Sequence, residues 1–140
     1  MKIYLAGPIG GVSTRRALLW RKIATGCLKR AGIEALDPCR EKDLVRWHED
    51  KSIYDPREVV MRDLRDIEEC DALLVDAGQN VAMWGTPAEA FYAWQLGKPL
   101  VIWGVKGDAP LWLQCYTQDG GRIFETLHDA LEYIIWGWTE

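Results

Sequence analysis

The chain has little of what builds metal and redox centres. It contains two histidines, His48 and His128, and four cysteines, Cys27, Cys39, Cys70 and Cys115, at spacings that match no zinc or redox motif. A multi-histidine metal site is not expected, and the thiols are expected to be free, as in a reducing cytoplasm. Basic blocks are missing too: 17 Lys and Arg are interspersed with 21 Asp and Glu for a net charge of −4, so no nucleic acid is expected as a partner. No apolar run approaches the roughly 18–20 residues of a membrane span, so no membrane partner is expected. The opening "MKIYLAG" lacks a signal peptide's long apolar segment. Repeats and low-complexity tracts are absent. A cytoplasmic location is the resulting expectation.

What is present is an ordinary globular composition, 49% hydrophobic and 27% charged. Its 140 residues fit a single domain over residues 1–140 with its own core. Eight tryptophans is a high count, and some are expected to line a pocket or a subunit interface.

Short apolar runs alternate with helical patterns. "KIYLAG", "IEALDP", "DALLVDAG", "KPLVIWG" and "RIFET" read as strands, the last at an edge. Between them, "STRRALLWRKIATGCLKRAG" reads as a helix with Leu18, Leu19, Ile23 and Leu28 near helical spacing and Gly32 as its stop. "PREVVMRDLRDIEEC" reads as another, with Pro56 in its first turn. Thr86–Gly97 and "LHDALEYIIWGW" complete the set. The polar, aperiodic Cys39–Asp55 reads as a long loop, a type of segment that is often functional. This alternation implies an α/β fold: a doubly wound parallel five-stranded sheet, flavodoxin-like or Rossmann-like. Ligands of such sheets sit beyond the strands' carboxyl ends, where "GPIGG", Asp76 and "WGVKG" fall.

Four features carry possible chemistry. Glu89 is the one charged residue in an otherwise apolar short helix. It reads either as the third helical residue of a capping box, with Thr86 as N-cap and Pro87 first, or as a desolvated, reactive carboxylate. Asp63 falls on or beside the stripe Val59, Val60, Leu64, Ile67, whereas Asp66 is expected to face outward; an inward carboxylate needs an ion-pair partner or a task. The glycines of "YLAGPIGG" allow backbone N–H groups near Ser13 and Arg15 to approach a phosphate or sugar hydroxyl, but fit neither a dinucleotide fingerprint nor a Walker loop. Asp76 reads as a turn cap or a sugar ligand, and Tyr4 as a core hydrogen bond or a site group. Ser13 and Cys70 lack a histidine partner, so a hydrolase triad is not expected.

Together, "KIYLAGPI", "RDLRDIEECDALLVD", "GTPAEAFYAWQLGKPLVI" and "PLWLQCYT" resemble the nucleoside 2-deoxyribosyltransferase family, which includes related N-glycosidases of nucleoside monophosphates. The resemblance covers most of the chain in the family's order. It implies that Glu89, in a "GT-x-x-E" segment, is the nucleophile. It further implies that Asp63 helps handle the leaving base, that Tyr4 positions Glu89, and that the turn Gly7, Pro8, Ile9, Gly10, Gly11 lines the sugar or 5′ side. Asp76, Met83, Gly85 and Thr86 are the other expected substrate contacts. Several transferases use an aspartate six residues before the nucleophile to recognise the base, and some hydrolases a phosphate-binding serine; here that residue is Met83. Met83, Trp84 and Trp103 are available as an apolar or stacking wall instead.

The implied activity cleaves the N-glycosidic bond of 2′-deoxyribonucleosides through a deoxyribosyl-glutamate and transfers the sugar to another nucleobase. Alternatives are hydrolysis of (deoxy)nucleoside 5′-monophosphates and a non-catalytic nucleotide-binding sensor. No cofactor and no metal are implied. The implied partners are a small-molecule nucleoside or nucleotide, a free nucleobase, and further copies in a homodimer or larger homo-oligomer. The closing "WGWTE" reads as a core-packed helix end or, preferably, as interface.

Overall fold

A computed structural model describes residues 1–79 and 81–138. Five strands form one all-parallel sheet: β1 (Lys2–Ala6), β2 (Glu34–Leu36), β3 (Ala72–Asp76), β4 (Leu100–Trp103) and β5 (Arg122–Phe124), in the order β2-β1-β3-β4-β5. This is the flavodoxin-like order expected from the alternating elements, with β2 and β5 at the edges. The central strands are continuous apolar runs because both faces are covered. Ile3, Leu5, Leu74 and Val101 face α1 (Thr14–Arg30) and the last helix, α6 (Leu127–Trp138). Tyr4, Ala6, Leu73, Val75 and Ile102 face the opposite layer, which holds α3 (Pro56–Glu69) and α4 (Gly85–Gln95). Two six-residue helices, α2 (Leu44–Glu49) and α5 (Leu111–Tyr116), complete the molecule.

Local signals account for most boundaries. Ser13 caps α1 and Asp55 caps α3, with Pro56 at the start. Both α1 and α4 end on a glycine at positive φ, Gly32 and Gly97, with the paired carbonyl bonds of a Schellman motif. The segment Cys39–Asp55 is more ordered than a loop: α2 and a 3-10 turn (Lys51–Ile53) occupy much of it. Neither is long enough to leave a periodic pattern.

Two helix faces differ from expectation. In α1 the inward stripe is Ala17, Trp20, Arg21, Ala24 and Leu28, while Leu19 and Ile23 are each 47% exposed. In α3, Asp66 points inward rather than outward: it is buried and takes a two-pronged ion pair from Arg40, at 2.7 and 3.0 Å. Asp66 lies one turn from both Asp63 and Cys70, so the helical period carries it to the same face. A paired acid is tolerated there where a lone one is not.

No described helix is long and apolar enough to cross a membrane. All four cysteines are free thiols, as expected. Trp136 is exposed on α6, and Thr139 and Glu140 of "WGWTE" lie outside the described residues.

Candidate active site

The strand order switches side between β1 and β3, and a crevice of about 720 Å³ opens beyond their carboxyl ends. Gly7, Pro8, Ile9 and Gly10 form one wall. Asp63, Val60 and Leu64 of α3 form a second, and Met83, Trp84, Gly85, Thr86 and Glu89 a third. Trp47 of α2 also lines the crevice.

The glycine turn is held from behind by Arg21, which is fully buried. Its guanidinium donates to the carbonyls of Gly7 (2.8 Å) and Ala17 (2.7 Å), stacks on Trp20 and lies 3.8 Å from the Asp37 carboxylate. Gly7 has no room for a side chain. A Cβ there would sit 3.0 Å from both the Asp76 Cβ and the Trp20 ring. Gly7→Ala is expected to cost about 1–3 kcal/mol, as overpacked substitutions do, read as a fall in thermal midpoint. His48 fixes the turn's far side, with its two ring nitrogens on Thr14 Oγ1 (2.7 Å) and the Ile9 carbonyl (3.1 Å).

Glu89 is not in a capping box. The helix begins at Gly85 with Trp84 as its cap and no side-chain cap bond, and Thr86 lies buried inside the first turn. The Tyr4 hydroxyl instead donates to a Glu89 carboxylate oxygen. Tertiary packing has taken the side chain that the local pattern would give to the helix end. Tyr4, fully buried on β1, reaches up between α3 and α4. Burial, with Glu89 and Asp63 beside it, pushes its phenol far upward, so it stays a proton donor.

Burial raises Glu89 from 4.5 to about 7; Asp63 pushes it the same way, while the Tyr4 bond, Arg21 and Lys42 pull it back. Asp63 rises from 3.8 to about 6, chiefly through burial with help from Asp66, against Lys42, Arg62 and Arg40. Its Oδ1 is buried and has no hydrogen-bond partner among the described residues. An acceptor left bare at a crevice wall is costly unless a ligand completes it. Two carboxyls thus face one crevice, both titrating near neutrality. The thiols do not compete for such chemistry: burial raises Cys39 and Cys70 to about 11.

Three expected residues sit elsewhere. Asp76 is buried outside the crevice, its Oδ1 accepting from the Gly78 N–H (2.9 Å) and its Oδ2 3.0 Å from Arg16. It lines an adjoining apolar cavity of about 620 Å³ between α4 and α5. Gly11, at φ +79°, turns the chain into α1 beside Val81 and is not part of the lining. Trp103 cannot wall the crevice, because it packs edge-on against Trp20 at 5.5 Å on the opposite side of the sheet. Trp47 and Arg21 are the site residues that the sequence reading missed. For Arg21 the signal was its place one turn from Ala17 and Ala24; for Trp47 there was none beyond its lying in a long polar segment.

A model of the nucleoside 2-deoxyribosyltransferase family matches residues 3–125. Among solved structures, the chain resembles a 2-deoxyribosyltransferase of the psychrotolerant bacterium Bacillus psychrosaccharolyticus at 24% identity and TM-score 0.70, over 95% of this chain and 92% of that one. It resembles a 2-deoxyribosyltransferase of Leishmania mexicana at 18% identity and TM-score 0.69, over 98% of each. The CMP N-glycosidase of Clostridium botulinum matches at 17% and 0.64, over 96% of this chain and 98% of that one. At these identities the structures share a fold. No curated protein matches in sequence. The class is therefore an enzyme acting on N-glycosyl bonds. The chain belongs to the nucleoside 2-deoxyribosyltransferase family.

Proposed function

We propose that the chain cleaves the N-glycosidic bond of 2′-deoxyribonucleosides and transfers the sugar to a second nucleobase. The observation that carries this reading is the pair Glu89 and Asp63: a carboxylate in an apolar crevice, oriented by Tyr4, facing a second carboxyl with a bare oxygen. Ionised Glu89 attacks C1′ with inversion. The C1′–N bond breaks, its electron pair leaves with the base, and Asp63 supplies the proton directly or through water. A second base then attacks C1′, gives its ring N–H proton to the Asp63 carboxylate directly or through water, and displaces Glu89; the two inversions retain configuration. The apolar walls favour this outcome by limiting water as the competing acceptor.

Free nucleosides are favoured over 5′-monophosphates by one contact. Arg16, a cation beside the glycine turn, is already committed to Asp76. A homo-oligomer is also proposed, since Trp84, Leu111 and Trp112 are 93%, 79% and 64% exposed.

The test is incubation with deoxynucleosides and their monophosphates, with and without a second base, followed by chromatography. A new nucleoside is the expected product. Release of base from monophosphates alone would establish hydrolysis in its place, and silence across the panel a binding module. Ribonucleosides are expected to react poorly, because a 2′-hydroxyl would crowd the attacking carboxylate. Equal rates on ribose and deoxyribose substrates would refute that placement of Glu89.

The two carboxyls also set a pH dependence. The reaction needs Glu89 ionised (about 7) and Asp63 protonated (about 6), an order opposite to their ease of ionisation. kcat/KM is expected to follow a bell with limbs near those two values, since the required microstate is a minor one. A rate that keeps climbing above pH 8 would contradict it.

A further inference from the structure

We propose that Lys42 is a positioning residue for the reaction: the counter-ion of a negative charge that moves between Glu89 and Asp63. The inference rests on the reaction proposed above and concerns what balances its charge. At the start Glu89 is a carboxylate and Asp63 a carboxylic acid. Forming the Glu89–C1′ ester takes the charge off Glu89, and giving a proton to the departing base leaves it on Asp63. The second half returns proton and charge to where they began. A charge in an apolar crevice needs a cation in reach at each stage, and one that serves both acids needs no exchange of partners.

The cations that act on the two acids are Arg21, Arg40, Lys42 and Arg62, and all but Lys42 are committed. Arg21 of α1 gives its N–H groups to the Gly7 and Ala17 carbonyls. Arg40 holds Asp66 with both prongs. Arg62 of α3 donates to the Arg40 carbonyl at 2.9 Å and lies 3.7 Å from Glu41. Lys42 is half-buried, yet its ammonium has no hydrogen bond and no ion pair among the described residues. Asp63 Oδ1 is buried and equally bare. An unpaired cation and an unpaired carboxyl oxygen thus stand in one cluster whose other acids, Glu41 and Asp66, already have partners.

The turn that carries Lys42 is pinned to α3. Its Arg40 binds Asp66, and Arg62 binds back to the Arg40 carbonyl. Arg62 is the residue before Asp63 and Asp66 lies one turn beyond it, so the pins flank Asp63 on both sides. Lys42 and Arg62 also border a small cavity of about 230 Å³, which leaves the lysine stem room to move. Asp55 and Glu58 line the same cavity, and neither is paired with Lys42; Asp55 caps α3. Among charges, Lys42 lowers Asp63 most, and it lowers Glu89 as well. Tyr4 of β1 and Arg21 also lower Glu89, while Asp66 opposes the cations at Asp63.

The experiment follows the side-chain carboxyl carbons of ¹³C-labelled Asp and Glu by NMR across pH, beside the pH profile of kcat/KM on a deoxynucleoside. The signals missing from Glu89→Gln and Asp63→Asn protein assign the two acids. Removing a cation makes both carboxylates harder to form. Lys42→Met is therefore expected to move both titrations, and both limbs of the bell, upward together by about half a unit or more. Lys42→Glu should move them further, and Lys42→Arg should restore most of the wild-type values, with circular dichroism reporting the fold. Lys42→Gln makes the same measurement should the Met variant not fold. Titrations left in place by loss of the ammonium would overturn the proposal. So would a shift of one acid alone, or Lys42→Arg behaving like Lys42→Met. The NMR readout is independent of turnover. If both acids shift and no base is released from any deoxynucleoside, the proposed reaction fails and the pairing of Lys42 with the two acids stands. If base is released and neither acid shifts, the reaction stands and this role of Lys42 fails.

Discussion

Glu89→Gln is expected to lower base release from a 2′-deoxynucleoside by on the order of 10⁴-fold or more, as removal of a nucleophile does. The same variant is expected to be more stable than the wild type at pH 8. Glu89 is raised from 4.5 to about 7 in the folded chain, so the native state holds its proton more tightly than the unfolded state. The wild type therefore keeps this contribution in full below about pH 4.5 and loses it as pH rises through 7. Glutamine never ionises, yet its amide oxygen can still accept from Tyr4. The gain at pH 8 is about 1–3 kcal/mol, since one pKa unit is about 1.4 kcal/mol. A chain of this size would then melt several degrees higher. At pH 4.5 the difference should vanish. Opposite signs for activity and stability separate a functional carboxylate from a structural one, which would lose stability when replaced. A variant that is both inactive and less stable at pH 8 would return Glu89 to the core.

Asp63→Asn is expected to cost about 10²–10⁴-fold in kcat/KM, the usual contribution of a positioned proton donor. The loss should depend on the leaving group: severe for bases that need a proton to depart, slight for bases that leave readily as anions. The pH profile should change shape as well. The limb that requires a protonated Asp63 disappears, leaving one rise near pH 7 or slightly below, because Asp63 no longer pushes Glu89 upward. Equal losses for good and poor leaving groups, with the bell intact, would assign Asp63 to packing instead.

The architecture was legible because its physics is local. Runs such as Leu73–Val75 and Leu100–Ile102 have no polar residue to alternate with, which only strands covered on both faces permit. Pro56, Gly32 and Gly97 mark helix ends through their own backbone preferences. The candidate site residues Tyr4, Asp63 and Glu89 came from sequence pattern and family likeness, and the fold brings all three together. Three of the failures share one cause: each depends on a partner distant in sequence. Arg21 looks like a surface charge until the carbonyl of Gly7 is placed against it. Asp66 looks solvated until Arg40 arrives from another segment. Glu89 fits a capping box until Tyr4, 85 residues away, takes its oxygen. Trp47 lies on a six-residue helix, too short to show a period.

The most direct measurement is mass spectrometry of the protein quenched in acid during reaction with a 2′-deoxynucleoside and no acceptor base. One added deoxyribosyl group on the peptide that carries Glu89, absent from Glu89→Gln protein, is the predicted result. Free base accumulating with no such adduct, or with the sugar on another residue, would contradict attack by Glu89.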